Sequence, residues 1–344
     1  MSDILNDILN FVDKFLSGKP TMRLMSLNIY SILALAGIYL SRAKLEENQY
    51  AKKKVRLLVE VCKWFKENSK NILQLTRQHL NELERALLCC GYSVKLCKIK
   101  SISKSVIGAS ESFGKIPFEV GIFFDPIYNV PFIPGSTIKG ALRSALIELL
   151  YKDLKEKSIS GKNEKQIIEE VTNIANIIFG SQKWSGLVGV TDAYPTEVGE
   201  NGLLLEPDVI TPHYSNARTE EDVVPIPVQF LTIARGVKFM FYIYFNKKVY
   251  EWEYMYLLKE KKIPKRQLVK IHLIKNLAKS DEDIIYGTHN GDLRNLIQKL
   301  QEKLDINLIP YIDRAVLYAF IKGVGAKTSL GYSRFEIIEY KVIR

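Results

Sequence analysis

Four side chains at the start of a predicted helix have the chemistry of an anion-binding site: Ser136, Thr137, Lys139 and Arg143. A helix N-terminus presents free N–H groups and the positive end of the helix dipole, so anions bind there. Ser136 is predicted to cap the helix, and Lys139 and Arg143 lie one turn apart on the same face. This arrangement suits a phosphodiester backbone. The alternative that stays open is an ordinary capped helix with two solvated cations.

A second stretch, 323–335, contains three glycines between a predicted helix and a predicted strand. Glycines let a backbone approach a partner closely and present its N–H groups, while Lys, Thr and Arg donate to phosphates and Tyr stacks on bases. The predicted contacts in this loop are Gly323, Gly325, Lys327, Thr328, Tyr332 and Arg334. A nucleotide-hydrolysing P-loop is excluded, because it runs from strand to loop to helix and because Ala326 occupies the place of the glycine before its lysine.

A catalytic site is not expected from the remaining polar residues. Metal-independent RNA cleavage needs a general base and a general acid beside a 2′-OH, and His213 with Tyr214 is the only suggestive pair. A histidine with structural hydrogen bonds is the simpler interpretation of His213. Four aspartates lie in different segments and are assigned to turns and caps rather than to a metal: Asp125, Asp192, Asp208 and Asp222. We therefore predict no catalytic residue, no metal and no cofactor.

The composition is that of a globular protein with a basic surface. Hydrophobic residues make up 47% of the 344 residues, which excludes a mainly disordered or collagen-like chain. Cys89, Cys90 and Cys97 lack the spacing of a zinc site, and with Cys62 they follow no secretory leader, so a reducing, cytoplasmic environment is expected. The net charge of +11 indicates either a phosphate-bearing partner or a lysine-rich surface.

Most of the positive charge lies outside the two motifs. Residues 1–100 hold 17 Lys and Arg against 9 Asp and Glu, a net +8, and residues 247–275 hold nine against three, a net +6. The rest of the chain is therefore net negative. We expect the bulk charge to broaden a positive surface, while a few cations in the motifs make specific contacts.

The hydrophobic pattern predicts a helical segment over residues 1–90 and an α+β domain over 91–344, with a charged helical insertion at 247–308. The apolar stretch 24–40 is too often interrupted by polar residues for a membrane span, and no membrane partner is expected. Its helical spacing indicates a core helix whose apolar face is formed by Leu24, Leu27, Ile32, Leu35 and Ile38.

Strands and helices alternate in the predicted α+β domain. A strand over 92–99 is expected to have one wet, basic face. Strands over 228–234 and 237–245 are expected to pair as a hairpin through a tight turn at Gly236, with one face of the second strand in the core. The other predicted elements are strands at 120–124, 187–190 and 333–343 and helices from 136, over 164–179 and over 311–321.

Taken together, segments 133–140 (IPGSTIKG) and 331–335 (GYSRF) resemble the repeat-associated mysterious protein (RAMP) superfamily of CRISPR RNA-guided systems. Within it the chain is most similar to the family of sixth subunits of the type III-B Cmr RNA-targeting complex. Supporting segments are 179–181, 191–193, 207–214, 225–228 and 323–328. Two positions depart from the family pattern, since Ser333 stands where Gly is frequent and Thr137-Ile138 where Ser-Leu is commoner.

The resemblance implies a ferredoxin-like antiparallel sheet, similar to an RNA-recognition module. It implies that the helix after Ser136 and the glycine loop bind guide crRNA near its 3′ side. The implied partners are target RNA and other Cmr-complex subunits, including the repeated backbone subunit, whose assembly this subunit caps. The resemblance also implies a non-catalytic role, because the target-cleaving aspartate belongs to the backbone subunit. The alternative is a RAMP endoribonuclease that processes guide RNA.

Overall fold

The computed structural model describes residues 14, 28–42, 46–111, 113–156, 163–182, 184–186, 188–210, 227–245 and 311–343. The insertion predicted at 247–308 lies outside the described residues, as do His213 and Asp222. In chain order the helices are α1 (Ile29–Arg42), α2 (Glu47–Cys89), α3 (Lys115–Phe118), α4 (Gly135–Glu156), α5 (Glu164–Phe179) and α6 (Tyr311–Lys322).

The strands, again in chain order, are β1 (Ser93–Ser101), β2 (Phe124–Asp125), β3 (Val130–Pro131), β4 (Gly180–Ser181), β5 (Trp184–Ser185), β6 (Gly189–Val190), β7 (Tyr194–Glu197), β8 (Leu205–Ile210), β9 (Val228–Ile233), β10 (Lys238–Phe245) and β11 (Phe335–Ile343). The main sheet is antiparallel and runs β11–β1–β10–β6, with β7 also paired to β10. Its central pair places Ser93 opposite Phe245 and Lys100 opposite Lys238. The α+β class is therefore confirmed.

Helices cover both faces of this sheet. Side chains alternate between the two faces of a strand, and on β10 both Phe241 and its neighbour Tyr242 are fully buried. Phe241 packs on Phe320 of α6, whereas the Tyr242 hydroxyl donates to the backbone oxygen of Leu80 on α2 at 3.1 Å. The face of β10 that carries Phe241 lies in the core, as predicted. The opposite face, which carries Tyr242, is buried as well because α2 covers it.

Helices α4 and α6 pack side by side through a cluster of charged groups. Glu148 accepts hydrogen bonds from Tyr318 and Lys322, and the Lys152 ammonium lies 3.0 Å from the same carboxylate. Burial alone would raise the pKa of Glu148, but the hydrogen bonds outweigh it and lower that pKa to about 2. Lys152 also donates to the Tyr318 hydroxyl at 3.2 Å. Later residues of α4 therefore meet earlier residues of α6, so the two helices run antiparallel.

The predicted hairpin of β9 and β10 is wrong, although both strands exist. Strand β9 pairs with β8 in a separate two-stranded sheet, and β10 pairs with β1. The turn at Gly236 is present, with φ of 86°, and its N–H donates to the Ser101 carbonyl at 2.8 Å. This turn carries the chain from one sheet into another, so it does not close a hairpin.

Helix α1 is a core helix, as predicted: of the predicted apolar face Ile32 is buried and Leu35 packs against the core, while Leu24 and Leu27 lie outside the described residues. The buried residues are Ile29, Ile32, Leu33, Ala36 and Leu40, whereas Ile38 is 44% exposed. Helix α1 starts after Asn28, whose side chain accepts the Tyr30 N–H at 2.9 Å and so caps the helix. Among the described residues, no helix is both long enough and apolar enough to cross a membrane.

The predicted wet, basic face of β1 is also corrected. Lys95 has a side chain only 16% exposed and pairs with the buried carboxylate of Asp313 on α6 at 2.6 Å. Lys98 pairs with Glu339 at 2.6 Å. The lysines of β1 are covered or neutralised because α6 and β11 lie against this strand. Of the strand predicted at 120–124 only Phe124 lies in a strand, β2, while the helices predicted at 164–179 and 311–321 are confirmed.

Candidate nucleic-acid interface

The N-terminus of α4 is capped by a distant carboxylate, so the prediction that Ser136 caps it is wrong. The helix starts at Gly135, whose N–H donates to Oδ1 of Asp192 at 2.6 Å, and Ser136 is exposed. A Cβ on Gly135 would lie 2.4 Å from the Val190 carbonyl oxygen, which explains why glycine is needed there. The assignment of Asp192 to a cap is confirmed. The Asp192 carboxylate therefore already accepts the first backbone N–H group of this helix.

The two cations predicted on α4 have different surroundings. Arg143 donates from Nη2 to the Asn176 side chain on α5 at 2.7 Å, so it ties the two helices together. Lys139 is half-buried, and burial lowers the pKa of its ammonium group. Thr137 is also half-buried, and its N–H donates to the Pro134 carbonyl. Lys139 is thus the cation of α4 best placed to meet an anion.

The glycine loop packs against the chain itself. Ala326 donates to the Val106 carbonyl at 2.8 Å, and Val324 donates to the Ser333 carbonyl at 2.9 Å. Gly325 has φ of 135°, and a Cβ on it would lie 2.8 Å from the Val106 carbonyl oxygen. A Cβ on Gly323 would lie 2.7 Å from the Thr328 side chain. These glycines are explained by close packing within the loop, and their contact with RNA stays a prediction.

Ser333 joins the loop to the segment after β1. It is fully buried and has a left-handed backbone with φ of 56°. Its Oγ accepts the Val106 N–H at 3.0 Å and lies 3.1 Å from both the Val106 and Ala326 carbonyl oxygens, to which it can donate its one proton. Glycine would adopt this left-handed backbone without strain. Serine at this position supplies, in addition, the hydroxyl group that makes these hydrogen bonds.

The polar side chains of the loop point toward β8 and β9. The Lys327 ammonium lies 5.9 Å from the ring centre of Phe230. Tyr332 donates to Oδ2 of Asp208 at 2.7 Å, and burial together with this hydrogen bond raises the pKa of Tyr332 to about 12. Lys104 pairs with the other oxygen of Asp208 at 3.3 Å. Lys104 was missed by the sequence analysis, because only the fold brings it beside the loop.

A series of backbone hydrogen bonds connects the loop to the start of α4. Ala326 is bonded to Val106, the Phe123 N–H donates to the Ile107 carbonyl at 2.7 Å, and the Phe132 N–H donates to the Phe123 carbonyl at 3.2 Å. Hydrogen-bonded backbones lie about 4.8 Å apart, so three such steps span roughly 15 Å. The backbones of the two predicted motifs are therefore connected through two intervening segments, at Val106 and Ile107 and at Phe123.

Of the four cations in the two motifs, Arg143 hydrogen-bonds to Asn176, whereas the side chains of the other three have neither an ion pair nor a hydrogen bond within the described residues. In the described part of the chain, Lys139, Lys327 and Arg334 form no ion pair, whereas the lysines of β1 are paired. Arg334 is exposed, and Lys139 and Lys327 are half-buried. Unpaired cations keep their full attraction for phosphates. We define Lys139, Lys327 and Arg334 as the cation triad.

The predicted aspartates that lie among the described residues have hydrogen-bond partners within the protein. Asp125 accepts the Ile127 and Tyr128 N–H groups at 2.8 and 3.1 Å, which confirms its assignment to a turn. Asp208 lies within β8, so its assignment to a turn or cap is wrong. No group of three His, Cys, Asp or Glu side chains in the described ranges is arranged to hold a metal ion.

Comparison with known proteins identifies the family. The sequence pattern of the RAMP superfamily matches residues 98–336, a range that contains both motifs. The chain belongs to the RAMP superfamily. Helices α1 and α2 precede the range matched by the RAMP pattern.

Two relatives of this RAMP chain are named as Cmr6. The CRISPR system CMR subunit Cmr6 of Saccharolobus solfataricus is 32% identical over 241 residues, which cover 70% of this chain and 75% of that protein. The CRISPR system Cmr subunit Cmr6 of Pyrococcus furiosus is 29% identical over 192 residues, which cover 42% of this chain and 55% of that protein. This RAMP chain is thus a homologue of Cmr6.

A solved structure is similar over the full length of the chain. It is a chain from the cryo-EM structure of the Type III-B Cmr-beta bound to cognate target RNA. The two chains share 25% sequence identity with a TM-score of 0.62, and the match covers 100% of this chain and 99% of the other. The similarity includes helices α1 and α2, which the RAMP pattern does not reach.

Proposed function

We propose that this RAMP chain is the Cmr6-type subunit of a type III-B CRISPR effector complex in the cytoplasm, where it takes part in RNA-guided antiviral defence. In this role it binds guide crRNA near its 3′ side and caps the backbone of the complex. Its partners are target RNA and other Cmr subunits, including the repeated backbone subunit. The full-length similarity to a chain of a Cmr-beta complex bound to target RNA supports this proposal.

We further propose that the core is ferredoxin-like. Along the chain the order is β1, α4, the β6–β7 edge, β10, α6 and β11, which is a β-α-β-β-α-β succession. The first and third of these strands lie at the centre of the antiparallel sheet. The proposal keeps the division between a helical segment, 1–90, and a domain, 91–344, although residues of α2 pack on the sheet of that domain.

The cation triad is the observation that carries the RNA-binding proposal. The face of the sheet opposite α4 and α6 is covered by α2, so RNA binds along the edge formed by the start of α4 and the glycine loop. Cations of these two segments neutralise phosphates without reading the base sequence. Five further motif residues are proposed to support the same RNA contact: Ser136, Thr137, Arg143, Thr328 and Tyr332. Arg143 does so by holding α4 against α5, and Tyr332 by holding the loop against β8.

We propose a non-catalytic role for this subunit. Processing of guide RNA would need a general base and acid near a 2′-OH. His79, the one histidine among the described residues, lies 3.0 Å from the Tyr128 hydroxyl and packs on the Tyr194 ring, with ring centres 5.2 Å apart. No observation among the described residues favours the endoribonuclease. Purified chain incubated with repeat RNA is expected to leave the RNA intact, and cleavage that His213→Ala abolishes would replace the proposal.

The salt dependence of RNA affinity tests the binding proposal. For single strands, log affinity falls with log salt by about 0.7 per phosphate contact. Lys139→Ala/Lys327→Ala/Arg334→Ala is expected to make this slope shallower by about 2. The matched control is Lys52→Ala/Lys66→Ala/Lys70→Ala, which removes the same charge from exposed positions of α2. An unchanged slope in the triad variant, or an equal change in the control, would contradict the proposed surface.

A further inference from the structure

We propose that Phe123 and Phe132 form a stacking site for one unpaired RNA base, between the two ends of the cation triad. This inference rests on the proposed function, because it adds a base contact to a surface proposed to hold the RNA backbone. Single-stranded nucleic acids are held by cations that follow the backbone and by aromatic rings that stack on bases. The two phenylalanines supply the second of these features.

The two rings lie side by side on adjacent segments of the chain, with ring centres 5.8 Å apart. Phe123 precedes β2 and Phe132 follows β3, and the Phe132 N–H donates to the Phe123 carbonyl at 3.2 Å. The neighbours of both phenylalanines in the sequence, Ile122 and Ile133, are buried, whereas both rings are partly exposed. Both rings therefore pack against the core on one side and keep a part of their surface exposed to solvent.

The inner sides of the rings are supported by the protein. Phe132 stacks on Tyr194 with ring centres 5.8 Å apart and planes at 16°. A Cβ at Gly108 would lie 2.5 Å from the Phe123 ring, so this ring rests directly on the glycine backbone. Rings fixed in this way lose little conformational freedom when a base stacks on them.

The position of the rings supports a nucleic-acid ligand. Phe123 is bonded through Ile107 to the segment that holds the glycine loop, and Phe132 leads into α4. In the order of hydrogen-bonded backbones, the two phenylalanines therefore lie between the glycine loop, which carries Lys327, and helix α4, which carries Lys139. The two ring planes meet at 59° with centres 5.8 Å apart, so a flat base can stack on one ring at a time. The site accordingly takes one base of any identity.

A comparison of two RNA ligands tests this inference. One ligand is a single-stranded RNA of about 12 nucleotides, and the other is a matched strand in which abasic analogues replace every base, so the phosphates are the same. Stacking contributes about 1 to 3 kcal/mol per base, which corresponds to about 5- to 150-fold in affinity. The full-length chain is expected to prefer the RNA with bases at least fivefold.

Leucine variants assign this preference to the two rings. Phe123→Leu/Phe132→Leu keeps apolar side chains and is expected to lower the preference at least fivefold while leaving the salt slope unchanged. The matched control, Tyr50→Leu, removes a partly exposed ring on α2 and is expected to keep the preference. Urea unfolding checks that both variants are folded.

The outcomes separate this inference from the proposed function. Equal affinity of the unmodified chain for the two ligands would overturn the stacking site and leave backbone binding in place. A preference that survives in Phe123→Leu/Phe132→Leu would also overturn it. No binding to either ligand would contradict the proposed function and the stacking site together. Loss of the preference in the leucine variant alone supports the inference.

Discussion

Replacing Ser333 by alanine removes the hydroxyl that joins the glycine loop to the segment after β1. The Val106 N–H, 3.0 Å from Oγ, then loses its acceptor, and Oγ no longer donates to a carbonyl. Because Ser333 is fully buried, water does not replace these bonds. A buried backbone group left without a partner costs about 1 to 3 kcal/mol of unfolding free energy, so Ser333→Ala is expected to be destabilised by that amount.

Ser333→Gly separates the hydrogen bond from the backbone strain. The φ of 56° at Ser333 is in the left-handed region, where a residue with a Cβ is strained by about 1 to 2 kcal/mol relative to glycine. Both variants lose the hydroxyl, but only the glycine variant is relieved of this strain. We therefore expect Ser333→Gly to be more stable than Ser333→Ala by about 1 kcal/mol, after the extra entropy of glycine in the unfolded chain.

Urea unfolding followed by circular dichroism measures both differences. With a denaturant slope of about 3 kcal/mol per molar, Ser333→Ala is expected to lower the midpoint by roughly 0.3 to 1 M, with no change in the slope. The glycine variant should fall between alanine and serine. An alanine variant as stable as the unmodified chain, or one more stable than the glycine variant, would refute the role given to the hydroxyl and to the left-handed backbone.

Two further predictions concern α4. Gly135→Ala is expected to lower the unfolding free energy by about 1 to 3 kcal/mol, because its Cβ would meet a backbone oxygen at 2.4 Å; its control, Gly140→Ala, has no atom within 4 Å and should be neutral or stabilising by up to about 1 kcal/mol. Equal stabilities in a urea titration would contradict this. The folded pKa of Glu148, about 2, is below the usual glutamate value of 4.5, so its carboxylate stabilises the fold above pH 4.5 and this contribution is lost as pH falls toward 2. In Glu148→Gln the unfolding free energy should depend less on pH in that range, and an unchanged dependence would show that the carboxylate contributes nothing.

Local signals in the sequence predicted several elements correctly. The helix predicted at 164–179 matches α5, whose Asn163 and Gln166 form a reciprocal capping box. The final helix and strand were also placed within two residues of α6 and β11. These elements depend on contacts between near neighbours in the chain, and such contacts are visible in sequence spacing.

Strand pairing was harder to predict because partners are distant in the chain. The turn at Gly236 has the chemistry of a hairpin turn, yet the strands on either side of it pair elsewhere: β9 pairs with β8, and β10 pairs with β1. The basic face predicted for β1 failed for a similar reason, because Asp313 comes from α6, more than 200 residues away. The local sequence around Gly236 and that of β1 do not predict these distant partners.

The candidate site shows the same division. Spacing correctly indicated a helix near Ser136 and a glycine loop before β11, but the cap of α4 is Asp192 from another segment. The glycines were interpreted as points where a partner approaches the backbone. In the structure, Val106 packs closely against Gly325 and Thr328 against Gly323, both within the same chain. The sequence could not distinguish the cation triad from neighbouring lysines, because the acidic partners of those lysines come from distant segments.

Affinity purification of the tagged chain from its native host tests the central claim most directly. Mass spectrometry of the co-purified proteins and sequencing of the bound RNA are expected to find other Cmr subunits together with repeat-derived guide RNA. The same purification with the triad variant should recover less guide RNA per chain. Recovery of the unmodified chain without guide RNA and without Cmr subunits would contradict its role as a subunit of an RNA-guided complex.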